Sequence, residues 1–506
     1  MKQYLLTGEK WIPVLRRGGG FAEVSLLELF EKGNEIVDLS VPPAQRVALM
    51  RFLLCIVARS LPLPRNRREW ESAGERIIPQ AVAYLKKWEL AFDLYGEHPF
   101  LQIVGLEKDW NTTLDKLDFT LASGSNHTLF DHSAVETGRP HSSAWQARML
   151  LVTQNFSPGG TIGPNRWNGM KTNDLTGNIS SPALEGSPLH TFLLGDNLLE
   201  TLHLNLIPQE ELGSMEIGVP VWEQPPENVK DLQKFKATLL GRLAPISRAV
   251  RLPEKGEAAS LAVGCNYAQI SEFIDPYLAN RRNEKEKTLS YVRIQPERHP
   301  WRELESLLAL QPESSRLLTP PKHLLNRNWV PADKQLRLWC GGVSVDKAKY
   351  EFSGEWLISF QEELLSRDEF WNAFGHFVQD AEAVAGLLRS AIGMFWTNLG
   401  KAADGSSIKI EGGKKTAQEL ALLGFWRKLD SLVPAFLASA EETGGDFRIL
   451  YGQLQEMAES FFLGVLPNQS PRGIMACAMT LPYFRREIKH ILGNNIAKKG
   501  EQDDGK

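Results

Sequence analysis

Four glycines and two prolines fall within one fifteen-residue segment, Asn155–Gly169, which reads NFSPGGTIGPNRWNG. Glycine has no Cβ, so such a chain can take positive φ and bring its backbone N–H and C=O groups close to a ligand. The phosphate-binding patterns GxxxxGKS/T and GxGxxG are both absent from it. The segment suits backbone contact with a groove or with phosphates, although a plain surface loop is the simpler interpretation from local sequence.

A second group of reactive side chains lies at Asn126–His132, where His127, Asp131 and His132 are close in sequence. A zinc site needs more ligands than these three, and no further cluster accompanies them. The motifs HExxH and GxSxG and a Walker lysine are also absent. The sequence offers no positive case for an enzyme, and we predict no metal and no cofactor.

Both segments belong to residues 120–200, which are rich in Gly, Ser, Thr, Asn and Pro. Loops longer than about 15 residues are uncommon unless they are functional or disordered. Two occur here in succession, at 123–140 and in the glycine segment, and a third irregular region follows at 165–187. This concentration of loops is the first indication of a binding site.

Bulk composition limits the function further. The chain has 506 residues, so two or three domains are expected. Because its net charge is −4, any contact with nucleic acid must come from local basic patches. Two basic runs, Arg65–Arg68 and Arg281–Lys287, are typical of solvated faces. No signal peptide or membrane-spanning run is recognisable, which predicts a soluble, cytoplasmic protein. The four cysteines form no CxxC pair and fit a reducing compartment: Cys55, Cys265, Cys340 and Cys477.

The C-terminal third carries the clearest structural pattern, because apolar residues recur there at spacings of three and four in four separate stripes. Such stripes predict a four-helix bundle. Capping patterns at 366–369 and 416–419 and the pair Ser470-Pro471 predict three of the helix starts. The stripes are Phe370, Phe374, Phe377, Ala381, Val384, Leu388, Ala391 and Phe395; Leu422, Phe425, Leu429, Leu432 and Phe436; Phe447, Leu450, Leu454, Met457 and Phe461; and Ile474, Cys477, Leu481, Phe484, Ile488 and Ile491.

The rest of the chain mixes short β-rich runs with helices and turns. Residues 4–14 predict a short hairpin, and 336–343 predict a strand that ends in a turn at Gly341-Gly342. The hexapeptide EHPFLQ at 97–102 predicts a buried turn whose histidine is hydrogen-bonded. The predicted fold class is therefore α+β, with a large, mixed, loop-rich N-terminal domain (1–360), a C-terminal four-helix bundle (361–497) and a disordered tail (498–506).

Several of these features together resemble one family, CasA, the large subunit of the type I-E CRISPR surveillance complex Cascade. The similar motifs are WIPV at 11–14, EHPFLQ at 97–102, SPGG at 157–160, the pair Gly341-Gly342 and GFWRKL at 424–429. Each motif is weak alone, but their order and spacing cover essentially the whole chain.

The resemblance implies a non-catalytic subunit. It reads the protospacer-adjacent motif (PAM) of double-stranded DNA, helps open the duplex so that the guide RNA can pair and form an R-loop, and presents the DNA to a helicase-nuclease. The implied partners are the other Cascade subunits, the 5′ handle of the guide RNA, target DNA and that helicase-nuclease. No membrane partner is implied.

The resemblance also assigns site residues. The family's PAM-reading glycine loop falls on Gly159, Gly160 and Gly163, and its wedge hairpin falls on Asp346, Lys347 and Ala348, where Lys347 replaces the glutamine expected in the family. A minor-groove lysine corresponds to Lys285 or Lys287. The loop that meets the guide-RNA handle corresponds to Asn126, His127, Thr128, Leu129, Phe130, Asp131 and His132.

Two other functions stay open at this point. One is a divergent metal-dependent nuclease, and the other is a purely structural scaffold subunit.

Overall fold

The computed structural model of the chain describes residues 3–107, 109–120, 140–157, 166–171, 181–267, 275–283, 288–308, 318–319, 321–330, 334–346, 349–361, 363–364, 367–401, 406, 408, 410, 412–441, 444–467 and 469–496. Its strands are β1 (Ile12–Arg16), β2 (Phe21–Val24), β3 (Ile36–Leu39), β4 (Thr112–Thr113), β5 (Arg166–Trp167), β6 (Met170–Lys171), β7 (His190–Leu194), β8 (Arg248–Arg251), β9 (Ala258–Val263), β10 (Asn280–Asn283), β11 (Thr288–Tyr291), β12 (Leu318–Thr319), β13 (Gln335–Asp346) and β14 (Lys349–Gln361). Its α-helices are α1 (Leu26–Glu31), α2 (Pro43–Ser60), α3 (Arg67–Lys87), α4 (Ser143–Phe156), α5 (Leu198–Leu204), α6 (Gln233–Lys236), α7 (Leu239–Leu243), α8 (Leu304–Leu307), α9 (Asp368–Leu399), α10 (Lys414–Ser439), α11 (Phe447–Gly464) and α12 (Pro471–Ile496).

Packing divides the chain into two units. The first comprises Met1–Pro296, Ser306–Val330 and Leu336–Leu357, and the second comprises Glu297–Glu305, Pro331–Gln335 and Ile358–Lys506. Mixed α+β structure with small sheets followed by four packed C-terminal helices confirms the predicted fold class. The domain limits 1–360, 361–497 and 498–506 stay a prediction.

Small antiparallel sheets characterise the first unit, with strand orders β2-β1-β3, β4-β9-β8, β11-β10-β12, β14-β13-β7 and β5-β6. The predicted hairpin at residues 4–14 is wrong, because β1 pairs with β2, through a turn that contains Gly18 and Gly19. These glycines have φ of 97° and 88°, a conformation that residues with a Cβ rarely adopt. Trp11, buried completely, donates its indole N–H to the Leu6 carbonyl at 2.9 Å.

Helix α2 forms the centre of the first unit. Its sequence is apolar on nearly every side, and a helix of this kind must be buried all round. It packs against α3, α4 and α7. Phe52 on α2 meets the rings of Phe92, Phe100 and Trp222 at centroid distances of 5.3–6.3 Å.

The hexapeptide at 97–102 supports this core. Phe100 is buried, and the Gln102 amide donates to the Leu94 carbonyl at 2.7 Å and accepts from the Leu252 N–H at 2.8 Å. The prediction of a buried turn with a hydrogen-bonded histidine holds for residues 99–102, which are buried, but not for His98, which is exposed. Pro99 favours an extended conformation for the residue before it, and burial begins at Pro99, immediately after His98.

The four long helices of the second unit follow the predicted stripes over most of their length. All eight members of the α9 stripe are buried, and Phe425 and Leu429 of α10 and Leu450 and Leu454 of α11 are buried too. At the edges of the α10 and α11 stripes, buried Ala421, Val433 and Phe462 lie beside half-buried Leu422, Leu432 and Phe461.

The predicted buried face is wrong for the first half of α12. Ile474 is exposed, and the buried face passes instead through Gly473, Ala476 and Thr480 before it joins Phe484 and Ile488. Thr480 accepts a hydrogen bond from the Asn398 amide of α9 at 3.0 Å. Small residues allow two helices to approach closely, so an apolar periodicity count selects the wrong face here.

One of the three predicted helix starts is confirmed. Helix α12 begins at Pro471, and the Ser470 hydroxyl accepts from the Gly473 N–H at 3.0 Å. Helix α9 has Arg367 as its N-cap and helix α10 has Gly413, so Thr416 lies inside α10 rather than at its cap. Among the described residues, no helix combines the length and apolar character needed to cross a membrane.

Candidate nucleic-acid interface

Most predicted site residues lie outside the described residues. This holds for Asn126–His132, for Gly159, Gly160 and Gly163, for Lys285 and Lys287, and for Lys347 and Ala348. Asp346, exposed to solvent, is the last residue of β13. The structure does describe the stems from which these segments depart, and all of the stems belong to the first unit.

The start of the glycine segment is fixed by the end of α4. The Ser157 carbonyl accepts from the Ser181 hydroxyl at 2.9 Å, and the Asn155 carbonyl accepts from the Ala183 N–H at 3.1 Å. Arg248, which is 3% exposed, donates from Nε to the Ser157 hydroxyl at 2.6 Å. Burial lowers the pKa of the Arg248 guanidinium to about 10, so it remains a cation at neutral pH beneath this stem.

A two-strand hairpin, β5-β6, fixes the other end. Trp167, 1% exposed, forms a β-bridge with Leu106. Asn168 and Gly169 take φ of 49° and 79°, which is the turn chemistry of an Asn-Gly hairpin. Part of the region predicted as irregular at 165–187 is therefore regular, and both ends of the glycine segment are anchored.

Aromatic contacts connect three of the predicted binding segments at their stems. Phe119, near the stem of the segment that contains 126–132, stacks on Phe156 with 6.0 Å between ring centroids and 19° between planes. Phe119 also meets Tyr350, just past the predicted wedge, edge-on at 6.3 Å. The Thr153 hydroxyl of α4 reinforces the cluster by donating to the Leu117 carbonyl at 3.0 Å. The chain next to the segments predicted as the handle loop, the glycine loop and the wedge thus meets in one cluster.

Ser187 connects the fourth predicted segment, the basic hairpin β10-β11, to β13, the strand that leads to the predicted wedge. Its carbonyl accepts from the Ile294 N–H at 2.9 Å, and its hydroxyl accepts from the Val345 N–H at 3.2 Å. Ser187 has a φ of 51°, an uncommon conformation for a residue with a Cβ. This conformation lets one residue bind both the chain after β11 and the end of β13.

The predicted turn at Gly341-Gly342 is wrong, because β13 continues through both glycines to Asp346. A Cβ on Gly341 would lie 2.6 Å from the Trp339 ring, and a Cβ on Gly342 would lie 2.8 Å from the Pro188 carbonyl oxygen. Gly341 therefore leaves room for the Trp339 ring, and Gly342 allows close approach of β13 to the Pro188 carbonyl. The strands β13 and β14 leave only residues 347 and 348 between them, which is the position predicted for the wedge.

A buried histidine lies on β7, opposite β13. His190 pairs with Gly341 across the sheet, and its Nε2 lies 2.9 Å from the Ala183 carbonyl oxygen. Burial, with the charge of Arg51 adding to it, lowers the pKa of His190 to about 4, so the ring is neutral at pH 7. His190 thus acts as a structural link between β7 and the 181–187 segment.

Sequence reasoning missed the residues that hold the site together: Phe119, Phe156, Ser187, Arg248 and Tyr350. A usable signal was present for the aromatic ones, since each lies within a few residues of a segment predicted to bind. Rings at the base of a loop rich in Gly, Ser and Asn are typical of an anchored loop rather than a free one. Among the described residues, no group of three or more His, Cys, Asp or Glu side chains is arranged to hold a metal ion.

The architecture is that of a two-unit α+β protein: a mixed unit with anchored loops, and a unit that ends in four packed helices. Comparisons with known proteins give the family. Residues 6–460 match the family model described as CRISPR-associated protein Cse1. The CRISPR-associated protein CasA/Cse1 of Thermus thermophilus is 31% identical over 477 residues, covering 87% of this chain and 88% of that protein.

Solved structures share the fold. The crystal structure of Thermobifida fusca Cse1 matches with a TM-score of 0.78 at 22% identity, over 97% of this chain and 98% of that one. A chain in a structure of a CRISPR RNA-guided surveillance complex matches with a TM-score of 0.75 at 20% identity, over 96% and 100%. The chain belongs to the Cse1 (CasA) family, the family of the large subunit of type I-E Cascade.

Proposed function

We propose that this chain is the non-catalytic large subunit of type I-E Cascade, and that it recognises the PAM of double-stranded target DNA. It then helps to open the duplex for guide-RNA pairing and presents the DNA to the recruited helicase-nuclease. Membership of the Cse1 family supports the role in the complex. The contacts of Phe119 with Phe156 and Tyr350 carry the proposal, because they bring the stems of three predicted binding segments together.

Each segment has a proposed task. Gly159, Gly160 and Gly163 enter the minor groove, which is only about 6 Å wide and admits bare backbone where side chains would clash. Lys347, between β13 and β14, separates the first base pairs, with Asp346 and Ala348 beside it. The cationic side chain of Lys285 or Lys287 contacts the DNA in its minor groove.

The proposed function also implies two further partners, the guide RNA and the other Cascade subunits. Residues 126–132 meet the 5′ handle of the guide RNA and a neighbouring Cascade subunit. A similar fold occurs in a chain of a CRISPR RNA-guided surveillance complex, and this supports assembly of the present chain into such a complex. The protein itself contributes binding and strand separation rather than bond cleavage.

The first prediction concerns Gly160→Val in the assembled complex. A branched side chain at this position blocks close backbone approach, so affinity for duplex DNA with the correct motif should fall about tenfold or more, to the level of DNA without it. Electrophoretic mobility shifts with matched and motif-less duplexes measure this difference. Complex assembly, followed by size-exclusion chromatography, should be unchanged.

Gly20→Val provides the control, because a Cβ on Gly20 meets no atom within 4 Å. If Gly160→Val and Gly20→Val complexes discriminate between the duplexes as well as the parent does, the glycine segment is not the reader. Two further arms separate the rival functions. Chelator-sensitive DNA cleavage by the purified chain would indicate a nuclease, and motif-dependent binding by a complex that lacks the chain would indicate a scaffold.

A further inference from the structure

An open groove of about 510 Å³ runs beside the first half of α3 in the first unit. Its lining includes the arginines 65, 68 and 76, the hydroxyl of Ser72 and the rings of Pro62 and Pro64. Part of the basic run Arg65–Arg68 therefore faces a concave surface rather than a flat solvated face. None of the segments assigned to PAM recognition contributes to this groove.

The groove is cationic although the whole chain carries a net charge of −4. Glu69 is the one carboxylate in its lining, and it lies 3.8 Å from Arg65, whose charge it balances. Arg68 and Arg76 form no ion pair with any residue that the structure describes, whereas the neighbouring Arg67 pairs with Glu71 at 2.9 Å. Among the described residues, two guanidinium groups in the groove thus have no carboxylate that balances their charge.

The spacing of the donors suits a row of phosphates. Arg68, Ser72 and Arg76 are separated by four residues each, so they follow one helix face in steps of about 6 Å. Guanidinium groups bind phosphate with two parallel hydrogen bonds, and a hydroxyl between them can donate a third. A single strand with successive phosphates presents charges along a line in the same way.

The lining disfavours a protein partner. Most peptides dock through an open strand edge, a groove with apolar anchors or an aromatic-lined surface, and the remaining mode, capture of an acidic segment by arginines, is the alternative that competition with polyglutamate tests. This lining has no strand and no aromatic residue, and apart from the two prolines its one aliphatic side chain is Ala73. Asn66, the residue best suited to read a base or an amide, already accepts from the Glu69 N–H at 2.9 Å as the N-cap of α3.

We propose that this groove binds the sugar-phosphate backbone of single-stranded nucleic acid, without sequence preference. Proteins that bind single strands without sequence preference use a positively charged groove that follows the backbone, and here the rings of Pro62 and Pro64 provide an apolar wall beside the charged donors. This binding site goes beyond the proposed function, and its test needs neither the complex nor the PAM.

The second prediction follows. The full chain is titrated into a short fluorescein-labelled oligonucleotide of mixed sequence, as single-stranded DNA, single-stranded RNA or duplex DNA, and anisotropy is measured at several salt concentrations. Arg68→Gln combined with Arg76→Gln should weaken single-strand binding about tenfold at low salt. The slope of log affinity against log salt should fall by about 1.4, because each phosphate contact to a single strand contributes about 0.7.

Arg67→Gln is the matched control, since Arg67 belongs to the same run but does not line the groove. It should leave affinity within about twofold of the parent, and thermal melts should show that all variants fold. The DNA and RNA arms identify the preferred strand. Four results would overturn the proposal: no single-strand binding by the parent, equal losses for the control and the double variant, duplex binding as tight as single-strand binding, or displacement of the oligonucleotide by polyglutamate at equal charge concentration.

Discussion

Arginines in two regions of the molecule show opposite uses of the same side chain. In the second unit, Arg302 is 7% exposed at its side chain, donates from Nε to Glu382 at 3.0 Å, and lies 3.6 Å above the Trp426 ring. Arg298 donates to the same carboxylate at 2.8 Å. In the first unit, Arg68 and Arg76 line an open groove and form no ion pair among the described residues.

The difference lies in the acids and rings around each guanidinium. The segment Glu297–Glu305 belongs to the same compact unit as the four helices. Its arginines 298 and 302 pair with Glu382 there, and Arg302 also stacks on Trp426. We call this set of contacts, made by residues 298–302 with Glu382, Trp426 and Asp430, the bundle clamp. Its charges stabilise the fold, whereas Arg68 and Arg76 on α3 have no ion pair with any described residue. A basic residue count cannot separate these two uses, but the local balance of acids can.

The third prediction has the largest expected effect on stability. Arg302→Ala removes the bonds to Glu382 and the stack on Trp426, and should destabilise α9 and α10 by about 2 kcal/mol, less than for a fully buried pair because Glu382 is partly exposed. Hydrogen exchange followed by mass spectrometry measures the loss of amide protection. Arg302→Lys should recover only part of it, since an ammonium cannot provide a planar fork.

The groove provides the contrast. Arg68→Ala should change stability by less than about 0.5 kcal/mol, as is usual for an exposed residue without partners. Equal protection in Arg302→Ala and parent, or a loss of similar size in Arg68→Ala, would contradict the distinction between structural and available arginines.

Sequence patterns predicted the parts of the fold that depend on periodicity. The α9 stripe was correct at every position because large apolar residues mark its buried face. The prediction of the buried face of α12 failed because Gly473, Ala476 and Thr480 are buried without being strongly apolar. Burial through small size leaves no hydrophobic signal.

The candidate site was predictable only as a set of loops. Its assembly depends on contacts between residues far apart in the chain, such as Phe119 with Tyr350 and Ser187 with Val345. No local pattern specifies such pairs. Gly341 and Gly342 illustrate the limit, since a diglycine indicates a turn by propensity, while here it permits close strand packing.

The fourth prediction tests a neutral donor in the bundle clamp. The Trp301 indole N–H donates to Asp430 Oδ1 at 2.8 Å, and Trp301 is 1% exposed. Trp301→Phe keeps most of the buried ring but leaves the carboxylate with one donor fewer, which should cost about 1–2 kcal/mol. Chemical denaturation followed by hydrogen exchange in α10 measures the change. Tyr84→Phe in the first unit, remote in sequence from the clamp, should leave α10 protection unaltered.

The last and smallest effect is a pH dependence confined to the clamp. His299 Nε2 lies 3.3 Å from Asp430 Oδ2, and burial lowers the pKa of His299, with the charge of Arg302 adding to the shift and Asp430 opposing it. Between pH 7.5 and 5.5 the unfolded chain, with an ordinary histidine pKa of about 6.5, therefore takes up a proton that the folded chain resists. The free energy of unfolding should fall by less than about 1 kcal/mol as the pH is lowered over this range.

Burial raises the pKa of Asp430, so this carboxylate acts with the opposite sign and at lower pH, where its protonation favours the folded chain. His299→Gln keeps a donor for Asp430 and removes the titrating group. Hydrogen exchange in α9 and α10, corrected for the intrinsic rate at each pH, should then lose most of its pH dependence. Arginine does not titrate in this range, so oligonucleotide binding in the α3 groove should respond far less to pH than the clamp does. An unchanged pH profile in His299→Gln would show that His299 does not cause the pH dependence of exchange in α9 and α10.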